Sequence, residues 1–186
     1  MSPTIAQLDA MSVDDAVAAL AGLYEHSPWI AAAALAARPF GDVAGLKRAL
    51  VAAVDASGRD AQLALLRAHP RLAGKAMIAG TLTAESTDEQ SRSGLTHCSP
   101  EEFACLHALN DAYDRRFGWP FILAVRGPDG RGLTRAAIIE TFEQRLRNTP
   151  DAEFDACLRN VHRIAEIRLE DRFGPVSSPA PARPRP

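Results

Sequence analysis

Alanine-rich segments whose apolar residues recur at helical spacing run through most of this chain, and several of them open on a pattern that starts a helix. That combination points to an all-α fold. Apolar residues three and four apart share one face of a helix, whereas residues three apart lie on opposite faces of a strand. Ser12 stands three residues before Asp15, and Ser27-Pro28 opens SPWIAAAALAA. Ser99-Pro100-Glu101-Glu102 combines a capping box with proline at the first helical position. Asp42, Asp60, Thr83 and Asp151 are weaker N-cap candidates. The pattern predicts helices over 13–25, 28–37, 43–55, 60–68, 83–92, 100–116, 134–147 and 151–172, a compact single-domain bundle of about eight helices.

Two stretches fall outside this rhythm. Phe121-Ile122-Leu123-Ala124-Val125 is an apolar run between Pro120 and the turn sequence Gly127-Pro128-Asp129-Gly130, too short for a helix. As extended backbone inside a helical protein, it has N–H and C=O groups that need partners, some of which a ligand could supply. The proline-rich stretch GPVSSPAPARPRP, residues 174–186, has no apolar periodicity and is expected to be a disordered tail to a helical domain over 1–173.

With 186 residues, the chain is long enough to bury a core without covalent staples. Its net charge of −2 argues against a general nucleic-acid binder, which needs an excess of Lys and Arg. Cys98, Cys105 and Cys157 form no CxxC pair and read as free thiols of a reducing compartment. No apolar run nears the roughly 20 residues of a membrane span, no secretory leader is visible, and the chain does not end in Ser-Lys-Leu; the expectation is a cytosolic protein. No histidine pairs with another histidine or a cysteine at ligand spacing, so no metal site is expected. GxGxxG, GxxxxGK[ST] and GxSxG are all absent, which removes support for nucleotide binding and serine-hydrolase chemistry.

Three positions invite chemistry. His69 follows the helical segment QLALLRA and precedes Pro70, whose ring disfavours the α region at His69, so the helix must end there. A helix C-terminus favours a protonated imidazole, and this histidine could act as an acid; the same features also describe a simple capping histidine. Ser86, Glu89 and Gln90 share one helix face, joining a hydroxyl, a carboxylate and an amide that could hold a polar heterocycle, although a solvated face has the same appearance. Arg168 falls inside the apolar stripe of the last helix, formed by Phe154, Leu158, Val161, Ala165 and Leu169, while Arg163 points away from it. A guanidinium aimed at a core needs a partner, either an internal carboxylate or a carboxylate substrate. Arg145, near the edge of its own helix's stripe, is less informative.

Taken in order, Tyr24-Glu25-His26-Ser27-Pro28-Trp29-Ile30, Arg38-Pro39-Phe40, His69-Pro70 with Leu72-Ala73-Gly74-Lys75, Ser86-Thr87-Asp88-Glu89-Gln90, Arg116-Phe117-Gly118-Trp119-Pro120-Phe121, Arg145-Leu146-Arg147-Asn148 and Arg168-Leu169 form a series that resembles the OHCU decarboxylase family, from about residue 5 to Arg172. OHCU is 2-oxo-4-hydroxy-4-carboxy-5-ureidoimidazoline. The resemblance implies an all-α enzyme without metal or organic cofactor, usually a homodimer, that converts OHCU to (S)-allantoin with loss of carbon dioxide. It implies His69 as catalytic acid or base, Glu89 as its partner and Arg168 as the late catalytic arginine. Ser86, Gln90 and Pro70 match substrate-binding positions, and Phe121, Ile122, Leu123, Ala124 and Val125 match a stretch that contacts the substrate. Arg71 departs from relatives, which commonly carry an acidic or amide residue after His-Pro; turned inward it would lower the histidine pKa, turned outward it would not. Two rivals stand beside this reading: a helical interaction module without activity, and a lyase for a related imidazoline.

Overall fold

Most of the described helices begin at or within two residues of a start signal. In the computed structural model, which describes residues 2–73, 86, 98–126 and 132–176, eight α-helices and one 3₁₀ turn are found among the described residues. They are α1 (Ile5–Ala10), α2 (Val13–Ala19), α3 (Pro28–Ala34, continued by the turn Leu35–Ala37), α4 (Val43–Asp55), α5 (Arg59–Arg67), α6 (Pro100–Phe117), α7 (Arg135–Arg145) and α8 (Pro150–Phe173). The described residues hold no strand, only an isolated antiparallel bridge between Arg126 and Gly132. The fold is all-α. Ser99 closes its capping box in both directions: its hydroxyl accepts from the Glu102 N–H, and the Glu102 carboxylate accepts from the Ser99 N–H. Asp42 caps α4 by accepting from the Gly45 N–H at 2.6 Å.

Apart from shifts of one or two residues, such as α5 starting at Arg59 with Asp60 inside its first turn, three departures from expectation have local reasons. α1 was not anticipated, although Thr4 and Gln7 form a capping box at its start. α2 stops at Ala19 rather than running to residue 25, because Gly22 (φ 80°) and His26 (φ 46°) turn the backbone out of helical geometry. The last helix begins at Pro150 with Thr149, not Asp151, accepting from the Ala152 N–H. The expected helix over 83–92 is described only at Ser86, which is helical; the Thr83 cap, the 127–130 turn and the tail from residue 177 lie outside the described residues.

The chain forms two compact units. The first comprises Met1–Gly58 and Ala165–Pro186. In it α3 packs on α2 and α4, with Leu8, Ile30, Leu46 and Val54 fully buried. Asp9 holds the turn into α4 by accepting from the Phe40 N–H at 2.9 Å, and Arg172 donates to the carbonyls of Ala19 and Ala21 at the end of α2.

The second unit is Arg59–Ile164. Its core is aromatic: Tyr113 on α6 meets Phe121 and Phe142 edge-on, and Phe121 stacks on Phe142 with centroids 3.8 Å apart. Trp119 lies edge-on to Phe154. Aromatic pairs in these geometries add about 0.5–1.5 kcal/mol beyond the area they bury. They also anchor the non-helical run that starts at Phe121.

Candidate active site

α5 carries Leu65 and Leu66 inward and delivers His69 just past its C-terminus. The imidazole is buried, and its Nδ1 lies 2.9 Å from the Leu65 carbonyl oxygen. A carbonyl can only accept, so Nδ1 carries the hydrogen in either charge state and Nε2 is the nitrogen that can gain or lose a proton. The backbone thus sets tautomer and ring orientation together.

The chain beyond His69 is fixed by α6. Asn110 donates to the Leu72 carbonyl at 2.9 Å, and Arg71 pairs with Asp111 at 2.9 Å and with Asp114. Arg71 is therefore engaged on α6 and more than a third exposed. Its hydrogen bond holds the Asp111 carboxyl below the ordinary aspartate range. Two residues before His69, Arg67 donates to the Gly118 carbonyl at 3.1 Å, which ties the end of α5 to the start of the segment leading into Phe121. Pro70 is half-buried beside His69.

The run from Phe121 to Val125 is not helical, as its length foretold, and it pairs into no strand. Phe121, Ile122 and Val125 are buried, while Leu123 and Ala124 are half-buried. Protein groups meet several of its backbone needs. Arg145 donates to the Ile122 carbonyl at 2.6 Å, the Asn160 side-chain oxygen accepts from the Ala124 N–H at 3.0 Å, and the Leu133 N–H donates to the Val125 carbonyl at 2.7 Å.

Arg145, which the helix pattern underrated, is the hub of a buried network. It donates through Nε and Nη2 to Glu153, a fully buried carboxylate, and Asn148 donates to the other oxygen of Glu153 at 2.7 Å. The Tyr113 hydroxyl also donates to Glu153 and lies 3.2 Å from the Cys157 sulfur. Burial opposes the charge on Arg145, but the hydrogen bonds and charge of Glu153 reverse that and hold its pKa above the ordinary value. Burial pushes up both the Cys157 thiol and the Tyr113 phenol. The signal in the sequence was Glu153, four residues before Cys157 and so on the same buried side of α8.

Ser86 is buried and helical, while Glu89 and Gln90 lie outside the described residues. His69, Ser86 and the Phe121–Val125 run belong to the second unit. Arg168 belongs to the first. There it is buried, as its place on the stripe required, and its Nη1 donates to the Glu25 carboxylate at 3.0 Å and to the Gly22 carbonyl at 2.9 Å. The internal carboxylate is thus one partner it has found. Among the described residues no three His, Cys, Asp or Glu side chains converge as metal ligands.

All-α, with a buried histidine whose Nδ1 is committed to its own helix, the chain has the build of a class: the small helical enzymes. The chain belongs to the OHCU decarboxylase family, which residues 9–170 match. It is 38% identical over 172 residues to the 2-oxo-4-hydroxy-4-carboxy-5-ureidoimidazoline decarboxylase of Haloferax volcanii, covering 91% of this chain and 96% of that protein. With the Mus musculus enzyme of the same name it shares 37% identity, covering 94% of this chain and 95% of that one. Among solved structures, one of (S)-allantoin synthase superposes with a TM-score of 0.69 at 29% identity, over 92% of this chain and 54% of that chain. A structure of OHCU decarboxylase in the presence of (S)-allantoin shares the fold, with a TM-score of 0.63 at 19% identity over 80% of this chain and 92% of that one.

Proposed function

We propose that this protein decarboxylates OHCU to (S)-allantoin in urate breakdown. The observation that carries the site assignment is the buried His69 imidazole, with Nδ1 committed to Leu65 and Nε2 therefore the proton-exchanging atom. Family membership and the names of the relatives support the reaction. When the bond to the carboxyl group breaks, carbon dioxide leaves and its electron pair stays with the substrate. One proton must then reach one face, since water would deliver it to either. His69 and Glu89 manage the substrate hydroxyl and that proton, Ser86 and Gln90 hold the ureido or ring edge beside Pro70, and main-chain groups of Phe121–Val125 contact the ring.

Arg168 enters as the guanidinium that meets the substrate carboxylate. Its bond to Glu25 favours a second reading, in which the pair supports the first unit alone. A homodimer in the cytosol completes the proposal; sedimentation would test the first part and cell fractionation the second. No helix among the described residues is long and apolar enough to cross a membrane.

The test is to add protein to freshly generated OHCU and follow optically active allantoin by circular dichroism against the spontaneous reaction. His69→Ala and Glu89→Gln should each lower turnover by about 100-fold or more while far-ultraviolet dichroism stays unchanged. Near-normal turnover in either variant rejects the assignment.

A further inference from the structure

We propose that Asn160 and Arg145 are positioning residues that orient the main chain of Leu123 toward the substrate. The inference rests on the reading of Phe121–Val125 as a substrate-contacting stretch. Two helices grip the successive peptide groups on either side of Leu123: Arg145 of α7 holds the Ile122 carbonyl at 2.6 Å, and Asn160 of α8 holds the Ala124 N–H at 3.0 Å. The peptide bonds here are trans, so the C=O and N–H of each unit point in opposite directions. With the Ile122 carbonyl turned to Arg145, the Leu123 N–H must point away from it. With the Ala124 N–H turned to Asn160, the Leu123 C=O must point away as well.

Both grips come from one side. The Arg145 guanidinium lies 3.2 Å from Cys157, one turn of α8 before Asn160. Leu123 therefore presents a donor and an acceptor on the face opposite the two helices. The residue is half-buried, and neither main-chain group has a partner among the described residues. A donor and acceptor side by side match an amide or ureido unit, whose own C=O and N–H are adjacent, and OHCU carries such units in its ring and side chain.

The rest of the network holds the grip rather than the substrate. Arg145 is only 11% exposed and Glu153 is fully buried. A buried ion pair of this kind contributes little net stability compared with apolar residues of similar volume, and what it supplies here is a fixed direction for Nη1. The Arg145 guanidinium also sits 4.6 Å from the centre of the Phe121 ring, so the same group steadies both ends of the Phe121–Ile122 step.

Asn160 offers the cleaner test, being half-buried at one edge of the network. Asn160→Leu keeps the branched shape and heavy-atom count and removes the acceptor; Asn160→Asp keeps the acceptor. With OHCU as substrate, Asn160→Leu should lower kcat/KM by about tenfold or more, mostly through KM, and Asn160→Asp should restore most of the loss. A merely structural role would scale kcat with the folded fraction and leave KM unchanged. Amide hydrogen exchange on the same proteins should show the Ala124 N–H losing protection in Asn160→Leu and keeping it in Asn160→Asp. If wild type is active and Asn160→Leu stays within threefold of its kcat/KM while Ala124 is deprotected, the positioning role is overturned and the decarboxylase reading stands. A wild type that does not hasten OHCU decay overturns both.

Discussion

Nδ1 of His69 donates to a carbonyl of the helix it follows, so a single bond decides which ring nitrogen is left to exchange a proton. Arg71, two residues on, is neutralised by Asp111 and Asp114. Arg71→Gln should therefore leave kcat and KM within about threefold and cost under about 1 kcal/mol in urea unfolding, because a pair this exposed is well screened. Glu25 is different. It is buried against Arg168, and Glu25→Gln should cost about 3–5 kcal/mol by removing a charged partner from a buried guanidinium. The double change Glu25→Leu with Arg168→Met removes both charges and should recover much of that stability. If the recovered protein turns over OHCU normally, Arg168 has no chemical role; if it is folded and inactive, the arginine belongs to the reaction. The two partners open to Arg168 could not be separated by helical spacing, because Glu25 lies 143 residues away and on a stretch expected to be helical but found to be a loop.

The elements were most legible where a cap, an apolar stripe and a stop coincide. α4 runs over the expected 43–55, and α6 ends one residue later than expected, at Phe117 before Gly118 in the left-handed region (φ 78°). α4 also carries a constraint that no propensity reveals: a Cβ on Gly45 would stand 2.0 Å from the Phe40 carbonyl oxygen. Gly45→Ala, which should favour a helix interior, is expected instead to destabilise by about 1–3 kcal/mol, since the clash is with backbone. Thermal unfolding should register it as a fall in Tm of about 2–4 °C per kcal/mol. Ser99→Ala, by contrast, removes a cap and should cost about 1 kcal/mol. The short α1 and early end of α2 were harder to read, because brief helices depend on neighbours such as Phe40 and Arg172 for what their few internal bonds cannot supply.

At the scale of the molecule, burial governs how the chain answers to thiol reagents and alkali. Cys157 is fully buried, while Cys98 and Cys105 are partly exposed. A thiol reagent should reach at most two of the three cysteines in the native protein and all three in denaturant, so Cys157 reports unfolding. Burial raises Cys157, Tyr113 and Tyr24 in the folded state. Their contribution to stability is whole below the unfolded values, about 9 for the thiol, and is lost as pH rises from there toward the raised folded values. The urea midpoint should hardly respond to these groups between pH 6 and 8 and should fall above pH 9; an unchanged midpoint at pH 10 would contradict the burial. The amino-acid sequence by itself determined the all-α class, most helix starts, the end of α5 just before His69-Pro70 and the need of Arg168 for a buried partner, because capping, proline geometry and apolar periodicity act within a few residues. Only the tertiary structure decided that Glu25 meets Arg168, that Arg145 and Asn160 seize the Ile122–Ala124 backbone, and that Arg71 turns to α6. Those choices depend on which distant groups packing brings within hydrogen-bond reach, and no local spacing encodes that.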